Sequence, residues 1–192
     1  VQARQQVRHG HGSWWHRLAS QGAGWWGMQL AHVGVAVFVV GVTAVNSYEI
    51  EKDVQLSVGE EVGIGKWRLR FEGVSEREGP NYVAKRGAFA LMRADAPAGA
   101  DAQPKRLHSE KRTYVVQGMP MTEAAIDSGL WGDVYVSLGE PVGPEAWTVR
   151  VYAKPMVTWI WGGCVLMALG GFFAVADRRY RSLAARERAG AA

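Results

Sequence analysis

Two stretches of the chain, residues 25–45 and 156–176, are 21 residues each and contain no Asp, Glu, Lys or Arg. A helix rises 1.5 Å per residue, so each would reach about 31 Å, against about 30 Å for the hydrocarbon core of a bilayer. The pattern predicts two membrane-spanning helices, over 25–45 and 155–176. Trp25 and Trp26 open the first and Tyr48 stands just beyond it, while Trp159 and Trp161 mark the start of the second. Such aromatics suit the membrane–water interface. Pro155 suits a first helical turn. Small residues recur at helical spacing, with Gly27, Ala31, Gly34 and Gly41 on one face and Gly163, Gly170 and Ala174 on one face of the second helix. Lipid gives no hydrophobic drive for helix pairing, so these stripes mark packing faces, expected to meet more helices than this chain contains.

Between the spans the period changes from 3.6 to 2. "KWRLRFEGV" puts Trp67, Leu69 and Phe71 on one face and Lys66, Arg68 and Arg70 on the other, and "AWTVRVY" repeats this with Trp147, Val149 and Val151. "VQLSV", "AFALM", "TYVVQ" and "DVYVSL" are further short runs separated by turn signals such as "EGPNY" at 78–82. "ADAPAGADAQP" at 94–104 is a low-complexity loop, and "KRLHSEKR" at 105–112 is expected as a charged turn that exposes His108. "MTEAAID" at 121–127 is expected as a helical turn with Thr122 as its N-cap, placing Glu123 and Asp127 on one face. The fold class is therefore a membrane protein in which two transmembrane α-helices flank a small antiparallel β-barrel or sandwich.

Net charge sharpens the picture. The mean hydropathy of −0.11 averages over these opposed parts. Residues 1–24 and 177–192 together carry +6, and residues 46–154 carry −2. Basic residues flanking both spans place both termini in the cytoplasm and the β segment on the far side of the membrane. The expected organisation is a cytoplasmic basic segment at 1–24, a helix at 25–45, a β domain at 46–154, a helix at 155–176 and a cytoplasmic basic tail at 177–192. An isoelectric point near 9.4 does not imply nucleic acid, because the arginines sit where topology needs them. A chain opening at Val1 without a signal peptide reads as a piece of something longer. The lone Cys164 lies inside the second span, which leaves no CxxC or disulfide chemistry and suits a small apolar filler.

Candidate chemistry reduces to one residue. His32 is the only histidine inside a span, eight residues in and about 10 Å deep. An ionisable group in lipid is costly unless partnered. Neutral imidazole is a common axial ligand for haem iron, and it also serves as a hydrogen-bond donor to a neighbouring helix, so both roles stand. His9, His11 and His16 lie in a basic segment where "HGH" has no further ligand at metal-site spacing. No nucleophile elbow, phosphate loop or metal-ligand pair is present, and a lone Glu123–Asp127 pair suits a partner contact better than catalysis.

In order along the chain, "AHVGVA", "GPNY", "EKRTY", "MTEAAID", "DVYVSLGE" and "KPMVTWIWGGCVLMALGG" resemble the C-terminal portion of the CcmF family, the haem-lyase subunits of bacterial cytochrome c maturation. A related family serving nitrite-reductase cytochromes is similar. The resemblance covers nearly all of residues 27–181 and implies an inner-membrane, multi-pass subunit with a periplasmic β domain. It implies a b-type haem held by two transmembrane histidines, of which His32 in "AHVGVA" would be one axial ligand to the iron. The other would come from a helix not in this chain. The family's tryptophan-rich haem-holding segment and two periplasmic histidine ligands are also absent from it. Implied partners are the remaining transmembrane helices of the subunit, a periplasmic haem chaperone, apocytochrome c, a thiol-reducing subunit of the lyase complex and the membrane itself. The alternative is a non-enzymatic anchor whose β domain recruits assembly partners, with His32 structural.

Overall fold

The computed structural model describes residues 21–95, 104–116 and 118–177. The basic segment before residue 21, the tail after 177, residues 96–103 of the low-complexity loop and His9, His11 and His16 lie outside the described residues. Two compact units emerge, one of residues 38–161 and one of the helical segments up to Val37 and from Gly162.

Helix α1 is Ala23–Tyr48 and helix α2 is Val157–Ala176, of 26 and 20 residues. Both are long and apolar enough to cross a membrane. Helix α1 outruns the expected span of 25–45, since the Glu49 N–H still reaches the Val45 carbonyl at 3.0 Å and Asn46 and Ser47 do not break the ladder. The expected role of Pro155 is corrected: it ends strand β9, and Met156, at φ 55°, makes the turn into α2.

In the helical unit the small-residue stripes meet each other. A Cβ on Gly27 would lie 2.6 Å from the Gly170 carbonyl oxygen, one on Gly34 2.7 Å from the Met167 nitrogen, and one on Gly170 2.5 Å from the Ala31 nitrogen. The Gly24 N–H donates to Asp177 Oδ2 at 2.7 Å, which sets a carboxylate at the positive end of α1. In the other unit a Cβ on Gly41 would meet Ile160 at 2.9 Å.

Nine strands form the β domain: β1 Ile50–Ser57, β2 Glu61–Ile64, β3 Trp67–Glu78, β4 Tyr82–Arg93, β5 Lys105–Tyr114, β6 Pro120–Glu123, β7 Ala125–Asp127, β8 Gly132–Pro141 and β9 Ala146–Pro155. All neighbours are antiparallel, in a four-stranded sheet β1-β9-β8-β7 and a five-stranded sheet β2-β3-β4-β5-β6. Alternation aims Leu69, Phe71, Phe89 and Leu91 from one sheet at Val134, Val136, Leu138, Val149 and Val151 from the other, and all lie in one buried cluster. Phe71 and Phe89 meet at a centroid distance of 5.4 Å. The β3–β4 ladder shifts register between Phe71 and Gly73, where the chain takes φ 125°, a conformation open to glycine alone.

Three local expectations are corrected. "KRLHSEKR" is strand β5, because Leu107 and Ser109 point into the core while charged neighbours line the outer face. Strand pairing stops at Tyr114, so Val115 and Val116 of "TYVVQ" form an exposed turn. "MTEAAID" is two short strands rather than a helical turn. The chain leaves the five-stranded sheet after Glu123 and enters the four-stranded sheet at Ala125, and this change of phase imitates helical spacing.

Candidate functional site

His32 projects from α1 at a position about 140° round the axis from the centre of the glycine stripe. It is exposed there, beside Val35, Ala36 and Val39. Its Nδ1 lies 2.7 Å from the Met28 carbonyl oxygen, one helical turn back. A carbonyl can only accept, so neutral imidazole carries its proton on Nδ1 and the Nε2 lone pair points outward. Among the described residues Nε2 has no hydrogen-bond partner. The result is a ring nitrogen with fixed tautomer on a charge-free helix face that also carries the polar side chains of Gln29 and Thr43. Among the described residues no three His, Cys, Asp or Glu side chains converge at metal-binding distance, so His32 stands by itself and not in a ligand set. Cys164 is half-buried in α2 and free.

The β domain holds a second concentration of polar chemistry that sequence reasoning missed. Glu110, 7% exposed, accepts from Arg112 Nε at 2.9 Å and Arg77 at 3.4 Å, and Arg86 Nε stands 3.9 Å away. Arg112 continues to Glu123 at 3.3 Å and stacks on Tyr82. Burial by itself pushes the Glu110 carboxyl up, but the Arg112 hydrogen bond and the charges of Arg112, Arg77 and Arg86 outweigh it and hold it below the ordinary carboxylate range. His108 is exposed as expected, and partial desolvation against the sheet, followed by the Arg86 charge, pushes it down.

Glu123 and Asp127 do not act as a pair. Glu123 answers Arg112 in one sheet, and Asp127, buried in the other, answers Lys105. Asp133, 4% exposed, accepts from the Gly129 N–H at 3.0 Å and from the hydroxyls of Tyr135 and Ser128 at 3.4 and 3.5 Å. Burial, followed by the Asp133 charge, raises the Tyr135 phenol. Glu110, Glu123 and Asp127 are neutralised by cationic side chains and Asp133 is held by an N–H and two hydroxyls, so these carboxylates fix strand register and turns. The only sequence signal for Asp133 was its place at the start of the run "DVYVSL", and Glu110 lay in a segment expected as a turn; nothing in either names their partners.

A family model described as the CcmF C-terminal β-sandwich matches residues 47–155, the β domain between the helices. The cytochrome c-type biogenesis protein CcmF of Pseudomonas aeruginosa is 45% identical over 157 residues, covering 82% of this chain and 23% of that protein. CcmF of Escherichia coli K12 is 44% identical over 158 residues, with 82% and 23% covered. The cytochrome c-type biogenesis protein NrfE of Haemophilus influenzae is 34% identical over 149 residues, with 78% and 22% covered. A solved structure of the cytochrome c haem lyase CcmF superposes with a TM-score of 0.63 at 21% identity, over 78% of this chain and 24% of that one, a likeness of fold. The chain thus spans about a quarter of the length of the relatives it matches.

Proposed function

The chain belongs to the CcmF family, and on that premise we propose that it is the C-terminal part of a membrane haem lyase of cytochrome c maturation, binding a transmembrane haem b through His32. The observation that carries the reading is the His32 imidazole, tethered at Nδ1 by Met28 and presenting Nε2 from the free face of α1. A hydrogen bond from the far ring nitrogen is the usual support of a ligating histidine, since it fixes ring orientation and raises basicity. The valines around it give the apolar walls that a porphyrin needs, and one imidazole suits one half of a bis-histidine site. The second ligand comes from a helix of the longer subunit. When bound, the haem supplies an electron that keeps the iron of a transferred haem ferrous. This chain's residues hold and orient: His32 ligates, the glycine stripe braces α1 against α2, and the β domain offers a docking surface for the haem chaperone, apocytochrome c and the thiol-reducing subunit.

The topology follows from the +6 flanks and the −2 middle, with both termini cytoplasmic and residues 46–154 periplasmic in the bacterial inner membrane. Labelling of Val116→Cys by an impermeant maleimide, in a Cys164→Ala background, is expected in intact spheroplasts; labelling only after lysis reverses the orientation.

His32→Ala in the full-length subunit tests the haem assignment. The purified, reduced variant is expected to lose most of its b-type absorbance while inserting normally, since the change removes a polar group from an apolar span. A variant that keeps its full haem spectrum makes His32 structural and leaves the anchor reading in its place.

A further inference from the structure

The segment that turns from β7 into the first residue of β8, residues 128–132, is uncharged and presents Leu130 and Trp131 to the outside, each 61% exposed. Two large apolar side chains held in water are unfavourable in proportion to the area that could be covered. The turn is nonetheless rigidly held. Three hydrogen bonds tie it to the start of α2: the Thr158 hydroxyl donates to the Gly129 carbonyl at 2.9 Å, the Trp159 indole N–H to the Leu130 carbonyl at 3.0 Å, and the Met156 N–H to the Trp131 carbonyl at 3.3 Å. The Trp131 and Trp159 rings lie 5.4 Å apart. From the domain side, Asp133 holds the Gly129 N–H.

We infer that residues 128–132 form a membrane contact separate from the two helices, with Leu130 and Trp131 seated at the boundary between headgroups and acyl chains where α2 enters the bilayer. The occupant is a lipid surface, because the turn is bonded to the first turn of a helix whose 20 residues carry no charge. Trp159, Trp161 (70% exposed) and Tyr48 (72% exposed) stand at the same helix ends and suit the same boundary. The absence of charge in the turn removes the cost of placing it there.

Exposure alone does not select this site. Val115 and Val116 are 73% and 91% exposed and equally apolar, yet lie at the other end of the sheet. Trp67, which shares a cleft with Trp131, pairs with Arg93 at one end of the β3–β4 ladder, and Glu78 pairs with Val83 at the other. The Val115 N–H donates to Asn81 at that far end, and twelve residues of strand separate the two ends by about 36 Å.

The inference rests on α1 and α2 spanning the membrane, so its test carries a separate control for that. Leu130→Cys, Trp131→Cys, Val116→Cys and Val35→Cys are each made in the full chain with Cys164→Ala, labelled with a nitroxide and placed in phosphatidylcholine nanodiscs. Power saturation then compares relaxation by oxygen, which concentrates in lipid, with relaxation by a water-soluble nickel chelate. Labels at 130 and 131 are expected to follow Val35, with oxygen several-fold more effective than nickel, while Val116 shows the reverse. Nickel access at both 130 and 131 overturns the proposal, and so does protection from both reagents, which would put protein over the turn. Nickel access at Val35 overturns the spanning assignment and this proposal with it.

Discussion

Desolvating a lone carboxylate costs several kcal/mol, and Glu110 escapes that cost only because Arg112, Arg77 and Arg86 surround it. Glu110→Gln leaves three guanidiniums facing one another without their shared anion. It is expected to lower the stability of the β domain by on the order of 2 kcal/mol, measured as a lower urea midpoint with unchanged slope. The pH dependence has a fixed sign. Glu110 sits below its ordinary value in the fold, so its contribution is present above about pH 4.5 and is lost as pH falls through the folded value. His108 is also lowered, so its neutral form is favoured and its contribution is lost as pH falls below about 6.5 towards the folded value. The wild-type urea midpoint should therefore fall on acidification from pH 7, and Glu110→Gln should flatten the lower part of that curve. An acid limb unchanged in the variant would place the sensitive group elsewhere. His32 was legible in sequence because it is an imidazole on a charge-free background; Glu110 was not, because its partners come from strands β3, β4 and β5, and register decides who meets whom.

At the scale of elements, two adjacent glycines separate packing from mere composition. A Cβ on Gly170 would meet backbone atoms of Ala31 and Gly27 within 2.6 Å, and one on Gly171 would meet nothing within 4 Å. Gly170→Val is expected to force α1 and α2 apart in the helical unit at a cost of about 1–3 kcal/mol, while Gly171→Val is nearly silent. Spin labels at Val35 and Val165, both exposed, would report the separation as a longer and broader distance distribution for the first variant only. The stripes themselves were readable because 3.6-residue spacing survives in any helix. Residues 121–127 were misread for the opposite reason: a segment divided between two sheets keeps neither period long enough to declare itself.

At the scale of the whole molecule, every member of the buried cluster in the β domain lies between Val54 and Ala153, so that core takes nothing from the helices. Residues 50–153 expressed alone are expected to give a far-ultraviolet circular dichroism spectrum dominated by strand, and a mainly helical spectrum would falsify the assignment. The domain also joins its helices with almost no slack. One residue, Glu49, separates α1 from β1, and one, Met156, separates β9 from α2. Strands β1 and β9 are partners, with Ile50 opposite Ala153, so the chain enters and leaves the sandwich through neighbouring positions about 5 Å apart. Glu49 and Lys154 close the gateway with an ion pair at 3.1 Å. In evolutionary terms this is the anatomy of a cassette spliced into a helical hairpin: a module whose ends coincide can be gained, exchanged or lost while the segments on either side keep their partners. Replacing residues 50–155 with a short Gly-Ser linker should accordingly leave α1 and α2 paired along their glycine stripes.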